Sequence, residues 1–324
     1  MAKALRHTEP NIVHLITTRT RKARIWMVPS PEMNSLLGGV VAKYKNKYDI
    51  PIYSYGFLGN HYHILCECLK EGLLSKFAEN INREIAKRVN HFHGLDREEG
   101  YYWGEGKFWG RRYDDQVVIK EVDELEGFLY VNTNPTKHGL VSHPNDWPGL
   151  ISYKQALSEK EHTHYFMNWT EYSEARKRSN KSGETIRKAD YEEPYPLSLT
   201  PLKMFSELSK KERTEKLHTL LEERTKQLQD ERKREGKWFL GRKKVLQQIP
   251  GTIPREVSRS PRPKCYSKDL EAKREYAEQE KERRNLYTQA SIRFRSGDYN
   301  VEFPPFCFKP PSHRKPKEYQ FTPT

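Results

Sequence analysis

The chain reads as an α+β sandwich on a mainly antiparallel sheet, followed by a basic, mostly helical extension. Three observations predict this. Short β-branched and apolar runs alternate with helical patterns in the order β-α-β-β-α-β-α before residue 157. The two middle runs are separated only by Gly59-Asn60, a hairpin break. Beyond residue 157 apolar periodicity gives way to charge-dense stretches and a proline-rich end.

Each element has its own signal. Residues 11–18, NIVHLITT, combine β-branched and apolar side chains in a strand pattern. Within residues 31–48, Leu36, Leu37, Val40, Val41 and Tyr44 repeat with helical spacing. Residues 50–68 form the hairpin. Leu73, Phe77, Ile81, Ile85 and Val89 then recur every four residues, the apolar stripe of a second helix. A loop rich in glycine and aromatic residues (100–110) leads to RRYDDQVVI, the fourth strand. Residues 121–134 are predicted to be a short helix that stops near Asn134, because Pro135 disfavours helical backbone in the residue before it. The order matches a ferredoxin-like arrangement.

The predicted domain boundaries follow. Residues 1–157 hold the sandwich, 158–200 a linker with the NKSGE and PYPL pieces, 201–300 a basic helical extension, and 301–324 a proline-rich tail, extended or disordered. Within the extension, residues 201–236 and 267–297 carry helical patterns. The first has too many charges and too irregular a leucine register for a coiled coil.

Composition narrows the function classes. Of 324 residues, 35% are hydrophobic and 31% charged, so a single core cannot cover the whole chain. Lys and Arg outnumber Asp and Glu for a net charge of +14, which favours a polyanionic partner, nucleic acid ahead of an anionic membrane face. No apolar run reaches the about 18 residues that a bilayer crossing needs, and residues 1–10 lack a secretory apolar stretch. Cys66, Cys68, Cys265 and Cys307 include no CxxC pair, so reduced thiols fit better than a zinc finger or disulfide framework. The expected setting is cytoplasmic, in association with the nucleoid.

Two patterns bear on chemistry. His61-Tyr62-His63 lies on a predicted strand, where alternation sends both imidazoles to one face and Tyr62 to the other. Such a pair can share a divalent cation if a third ligand comes from elsewhere. Alone, the tripeptide is more often two surface histidines. A second copy, His91-Phe92-His93, precedes Gly94 and reads as a helix end. Tyr130 and Asn134 stand four residues apart and share a helix face. Among nineteen tyrosines, spacing alone does not single out Tyr130, which could equally pack in the core with Asn134 as a cap.

Taken as an ordered set, the motifs resemble the HUH single-tyrosine transposases, in particular the REP-associated tyrosine transposases of bacteria. The resemblance covers residues 11–157 and includes NIVHLITTRTRKARIW, GNHYHILCE, KFWGRRYDDQVV, LYVNTNPTKHGLV and HPNDWPGLISY. The family's Y-x-x-x-N-P motif falls on Tyr130 and Asn134. The central residue of the histidine motif is Tyr62 here, and the stretch after residue 157 has no counterpart in the resemblance.

The resemblance implies the HUH endonuclease fold and a transposase that cleaves and rejoins single-stranded DNA. Tyr130 would be the nucleophile, forming a 5′-phosphotyrosine. His61, His63 and Asn134 would hold Mg²⁺ or Mn²⁺. The implied substrate is single-stranded DNA with a hairpin, and the implied assembly is a monomer or homodimer. For DNA contact the sequence offers Trp103, Phe108 and Trp109 beside Lys107, Arg111 and Arg112, a mixture of aromatic and cationic side chains suited to stacking bases and tracking phosphates. Arg19, Arg21, Lys137 and His138 are further candidates. Core packing of Trp109 and solvation of the arginines is the competing reading. The alternative function is a non-catalytic, sequence-specific DNA-binding protein descended from such an enzyme.

Overall fold

Strand alternation and two helical stripes become a two-faced sheet in the computed structural model, which describes residues 8–95, 107–254 and 264–310. Strands β1 (Ile12–Arg19), β2 (Ile52–Phe57), β3 (His61–Cys68) and β4 (Asp114–Val118) pair antiparallel in the spatial order β2-β3-β1-β4. Helices α1 (Pro31–Tyr48) and α2 (Leu73–Phe92) cover one face. Helix α3 (Glu121–Lys137) covers the other. This is the predicted α+β sandwich.

Local chemistry sets the element ends. Ser30 caps α1 by accepting from Met33 N–H at 3.0 Å, Pro31 occupies its first turn, and Asp49 closes it in left-handed backbone. Leu74, Phe77, Ile81, Ile85 and Val89 of α2 are all buried against Ile64, Cys66 and Tyr62. Burial of each such side chain contributes about 1.5–3 kcal/mol. On α2's last turn, His91 lies against Trp169, and His93 Nε2 meets Trp26 O at 2.8 Å. The second histidine pair thus belongs to a helix end.

Two boundaries differ from expectation. Helix α3 runs through Pro135 to Lys137 instead of stopping near Asn134. Val131, Asn132, Thr133, Asn134, Pro135 and Thr136 are all buried, so packing on the sheet outweighs the local preference of a residue before proline. Strand β4 begins at Asp114, since Arg111 and Asp114 pair across a turn that precedes it.

The larger correction concerns residues after 157. The expected linker carries strands β5 (His162–Met167) and β6 (Glu192–Leu197) as an antiparallel pair, with helix α5 (Trp169–Ser182) between them. This pair lies on α1. The Gly38-Gly39 step admits it, because a Cβ on Gly39 would come within 2.2 Å of Tyr165 O. Arg88 donates to Met167 O at 2.9 Å and covers the Phe166 ring, which Lys43 also approaches.

Short α4 (Tyr153–Ser158) precedes this pair. Helix α6 (Lys210–Arg234), opened by a Ser209/Glu212 capping box, buries Leu217, Leu221 and Thr225 on the α3 side of the sandwich. Helix α7 (Arg242–Leu246) follows. Strand β7 (Cys265–Tyr266) then adds to β4 in parallel, and helix α8 (Leu270–Arg295) is the last regular element among the described residues. The sandwich is therefore not complete at residue 157. Residues 301–310 form no helix or strand, and the rest of the predicted tail lies outside the described residues. No described helix is long and apolar enough to cross a membrane.

Candidate active site

Register places the histidines. Strand β1 pairs Thr17 with His63 and Arg19 with His61, so these four side chains share the sheet face that α3 covers. Tyr62 points oppositely, stacking on Phe57 and donating to Asn82 Oδ1 at 3.0 Å. Thr17 Oγ1 lies 2.7 Å from His63 Nδ1, and Asn60 Oδ1 lies 2.7 Å from His61 Nδ1. Each ring is thus held through one nitrogen, leaving Nε2 for other work. The rings meet edge to face at 5.0 Å, and His138 stands 5.4 Å from His61.

Helix α3 delivers the other two predicted residues. Tyr130 Oη lies 3.4 Å from His63 Nε2, and Asn134, one turn on, is 0% exposed. Neither polar atom of the Asn134 amide has a hydrogen-bond partner among the described residues. The amide is close enough to raise the proton affinity of His61 and lower that of Tyr130, without reaching hydrogen-bond geometry to either. A buried amide left unpaired costs about 1–3 kcal/mol. The structure thus brings His61, His63, Tyr130 and Asn134 together.

The local electrostatics favour neutral imidazoles. Burial, then the neighbouring His138 and Lys137, push His63 down to about 3. Burial, then His63, His138 and Arg19, hold His61 well below the usual histidine range. His138 is also lowered, by desolvation and then by Lys137, Arg19 and Arg232. Burial raises the Tyr130 phenol above its ordinary value. Lys137 Nζ sits 4.4 Å from the centre of the Tyr130 ring.

These residues fit a divalent cation. Neutral imidazoles with one nitrogen already held and an unsatisfied amide oxygen make an acceptable N,N,O set. Among the described residues no three His, Cys, Asp or Glu side chains group for metal binding, and the oxygen donor beside the two imidazoles is the buried Asn134 amide.

The DNA-contact candidates divide. Backbone bonds between Arg21 N and Phe108 O, and between Gly110 N and Arg19 O, bring Arg19, Arg21, Lys107 and Arg111 to one edge beside His61. Burial, and then the neighbouring Arg111, lower Arg19. Arg21, Lys107, Arg111 and Arg112 are exposed there. Trp109 is half-buried: its indole donates to Asn82 O at 2.8 Å and its ring packs edge-on against Tyr62. Trp103 lies outside the described residues.

Several site residues escaped sequence reading. Thr17 and Asn60 became visible only through pairing register. Tyr266 of β7 packs 6.2 Å from Tyr130 and donates to Glu126 O. From α6, Arg224 bonds Glu126 at 2.6 Å, and Arg232 crowds the turn at Gly139. No local signal links these distant segments to the tyrosine.

Residues 9–126 match the family model for IS200-like transposases. Over those residues the chain is similar to that family. The match ends before Tyr130, so it does not by itself assign the nucleophile. Two solved structures are also similar. One is a REP-associated tyrosine transposase bound to a REP hairpin, 23% identical over 49% of this chain and 86% of that one, with a TM-score of 0.39. The other is a candidate transposase from Deinococcus radiodurans, 16% identical over 38% of this chain and 89% of that one, with a TM-score of 0.28. No curated protein matches the chain. The matched span thus includes strand β3 with both histidines and ends within the first turns of α3, before Tyr130.

Proposed function

We propose that this chain cleaves and rejoins single-stranded DNA through a 5′-phosphotyrosine at Tyr130, with His61, His63 and Asn134 holding Mg²⁺ or Mn²⁺. The observation that carries the reading is the convergence of Tyr130 Oη, at 3.4 Å from His63 Nε2, with the unpartnered buried amide of Asn134. A cation bound there supplies charge neutralisation at the scissile phosphate.

The chain's own residues account for the remainder. Tyr130 oxygen forms a bond to phosphorus as the bond from phosphorus to the 3′-oxygen breaks. The phenol loses its proton and the departing 3′-oxygen gains one. Another strand's 3′-hydroxyl reverses the exchange, so joining needs no external energy source. Thr17 and Asn60 fix the imidazole orientations, and Lys137 lies over the Tyr130 ring. Arg19, Arg21, Lys107, Arg111 and Arg112 offer phosphate contacts along the adjoining edge. The substrate class is hairpin-containing single-stranded DNA, as the family resemblance implies.

A denaturing gel with end-labelled single-stranded DNA from the gene's flanks tests this. Wild type should give a covalent adduct that requires Mn²⁺ or Mg²⁺, and Tyr130→Phe should give none. An adduct that survives in Tyr130→Phe would overturn the assignment. Tight binding without any adduct across several flanking substrates would leave a DNA-binding protein without catalysis.

A further inference from the structure

The loop between α6 and α7 carries Trp238, which is 90% exposed. A single exposed apolar residue is ordinary, but three features set this one apart. First, its backbone is held in place. Arg232 Nη2 donates to Trp238 O at 2.8 Å, and the same guanidinium lies 5.1 Å from the Phe239 ring. Second, the loop is tied to the end of the tyrosine helix. Leu240 N donates to Gly139 O at 2.8 Å and Gly241 N to Leu140 O at 2.9 Å. Arg232 itself fills the space a Cβ on Gly139 would take, at 2.2 Å, where φ is +69°. Gly139 follows His138, whose ring stands beside His61. Third, the charge is one-sided: between positions 232 and 244 seven cationic side chains face one carboxylate, Glu235.

We infer that Trp238 is a stacking platform for an unpaired base of single-stranded DNA, with Lys243 and Lys244 following its backbone. An outward indole on a pinned loop among cations has the composition that binds single strands without reading sequence. The positive charge selects a polyanion, and the flat apolar ring selects one with exposed bases. The inference takes its substrate from the proposed cleavage at Tyr130 and adds a contact supplied by the extension.

The test uses the full chain carrying Tyr130→Phe, so that no cleavage intervenes. Anisotropy of a labelled single strand from the gene's flanks and of the matching duplex is titrated with this protein at two salt concentrations. Adding Trp238→Ala should weaken single-strand binding about tenfold, within the range of one lost stacking contact. Duplex binding should stay within about twofold, and Trp238→Phe should recover most of the loss. Lys243→Ala with Lys244→Ala should instead weaken both DNA forms and flatten the salt dependence. An unchanged thermal midpoint in Trp238→Ala, expected of an exposed side chain, excludes misfolding. Single-strand binding unchanged by Trp238→Ala overturns the platform, and if Trp238→Ala made in the otherwise unaltered chain still forms the Tyr130 adduct, the cleavage reading stands. Loss of single-strand binding without any wild-type adduct keeps the platform and overturns the cleavage reading. Self-association abolished by Trp238→Ala, with DNA affinity unchanged, assigns the face to a second copy and also overturns the platform.

Discussion

The two faces of one sheet differ sharply although the same strands supply both. Toward α1 and α2, β3 presents Tyr62, Ile64 and Cys66, which pack with Phe77, Ile81 and Ile85 in a large apolar cluster. Toward α3 it presents His61, His63 and Leu65, opposite a helix that buries Asn132, Thr133, Asn134 and Thr136. On that side Asn134, the Thr136 hydroxyl and Glu124 Oε2 are buried without hydrogen-bond partners among the described residues. Both faces carry apolar packing, but the second also keeps polar groups uncommitted at a cost in stability, as expected where chemistry is to be done.

The contrast can be broken first on the apolar face. Phe77→Ala should cost about 3–5 kcal/mol in denaturant unfolding, the usual loss for a buried aromatic. A loss below about 1 kcal/mol would mean that this face is not the structural core. Next comes the packing of the extension on the second face. Leu221 is fully buried there, and Leu221→Ala should cost about 2–4 kcal/mol. If hydrogen exchange showed α6 opening independently while the sheet stayed protected, the extension would be an appendage.

A smaller effect depends on pH. Glu124 is 7% exposed and is raised to about 7, first by burial, against the pull of Lys203 and with a push from Glu67. Its folded value lies above its unfolded one, so the stability of the protonated form is complete below about 4.5 and is lost as pH rises through about 7. Glu124→Gln should therefore gain about 1–2 kcal/mol over wild type at pH 8 and nothing at pH 4, allowing for solvent reaching the carboxyl. Equal thermal midpoints at pH 8 would contradict this.

The smallest change concerns Asn134. Asn134→Leu replaces an unsatisfied amide by an apolar group of similar shape, so stability should hold or rise by about 1 kcal/mol. Wild type should gain in thermal midpoint on adding Mn²⁺, while this variant should not. A marked destabilisation without Mn²⁺ would make Asn134 a packing residue and weaken the contrast between the faces.

Much of the fold was legible because its signals are local. Alternation in residues 11–18 and 61–68, the four-residue repeat from Leu73 to Val89, and the Gly59-Asn60 break each report on neighbours in sequence. The i and i+4 relation of Tyr130 and Asn134 was legible for the same reason. What misled was also local. Pro135 suggested a helix end and PYPL a linker. In each case burial against a distant segment overrode the local preference.

By itself the sequence determined the order of strands and helices along the first half of the chain, the shared face of His61 and His63, the basic character of the chain, and its resemblance to a transposase family. Only the tertiary structure decided that Thr17 and Asn60 hold the imidazoles, that Asn134 is left unpaired, and that Tyr266, Arg224 and Arg232 return from the extension to Tyr130 and its helix. The reason is range. Hydrophobic periodicity is written within a few residues, whereas contacts between positions about a hundred apart arise when packing closes the chain on itself.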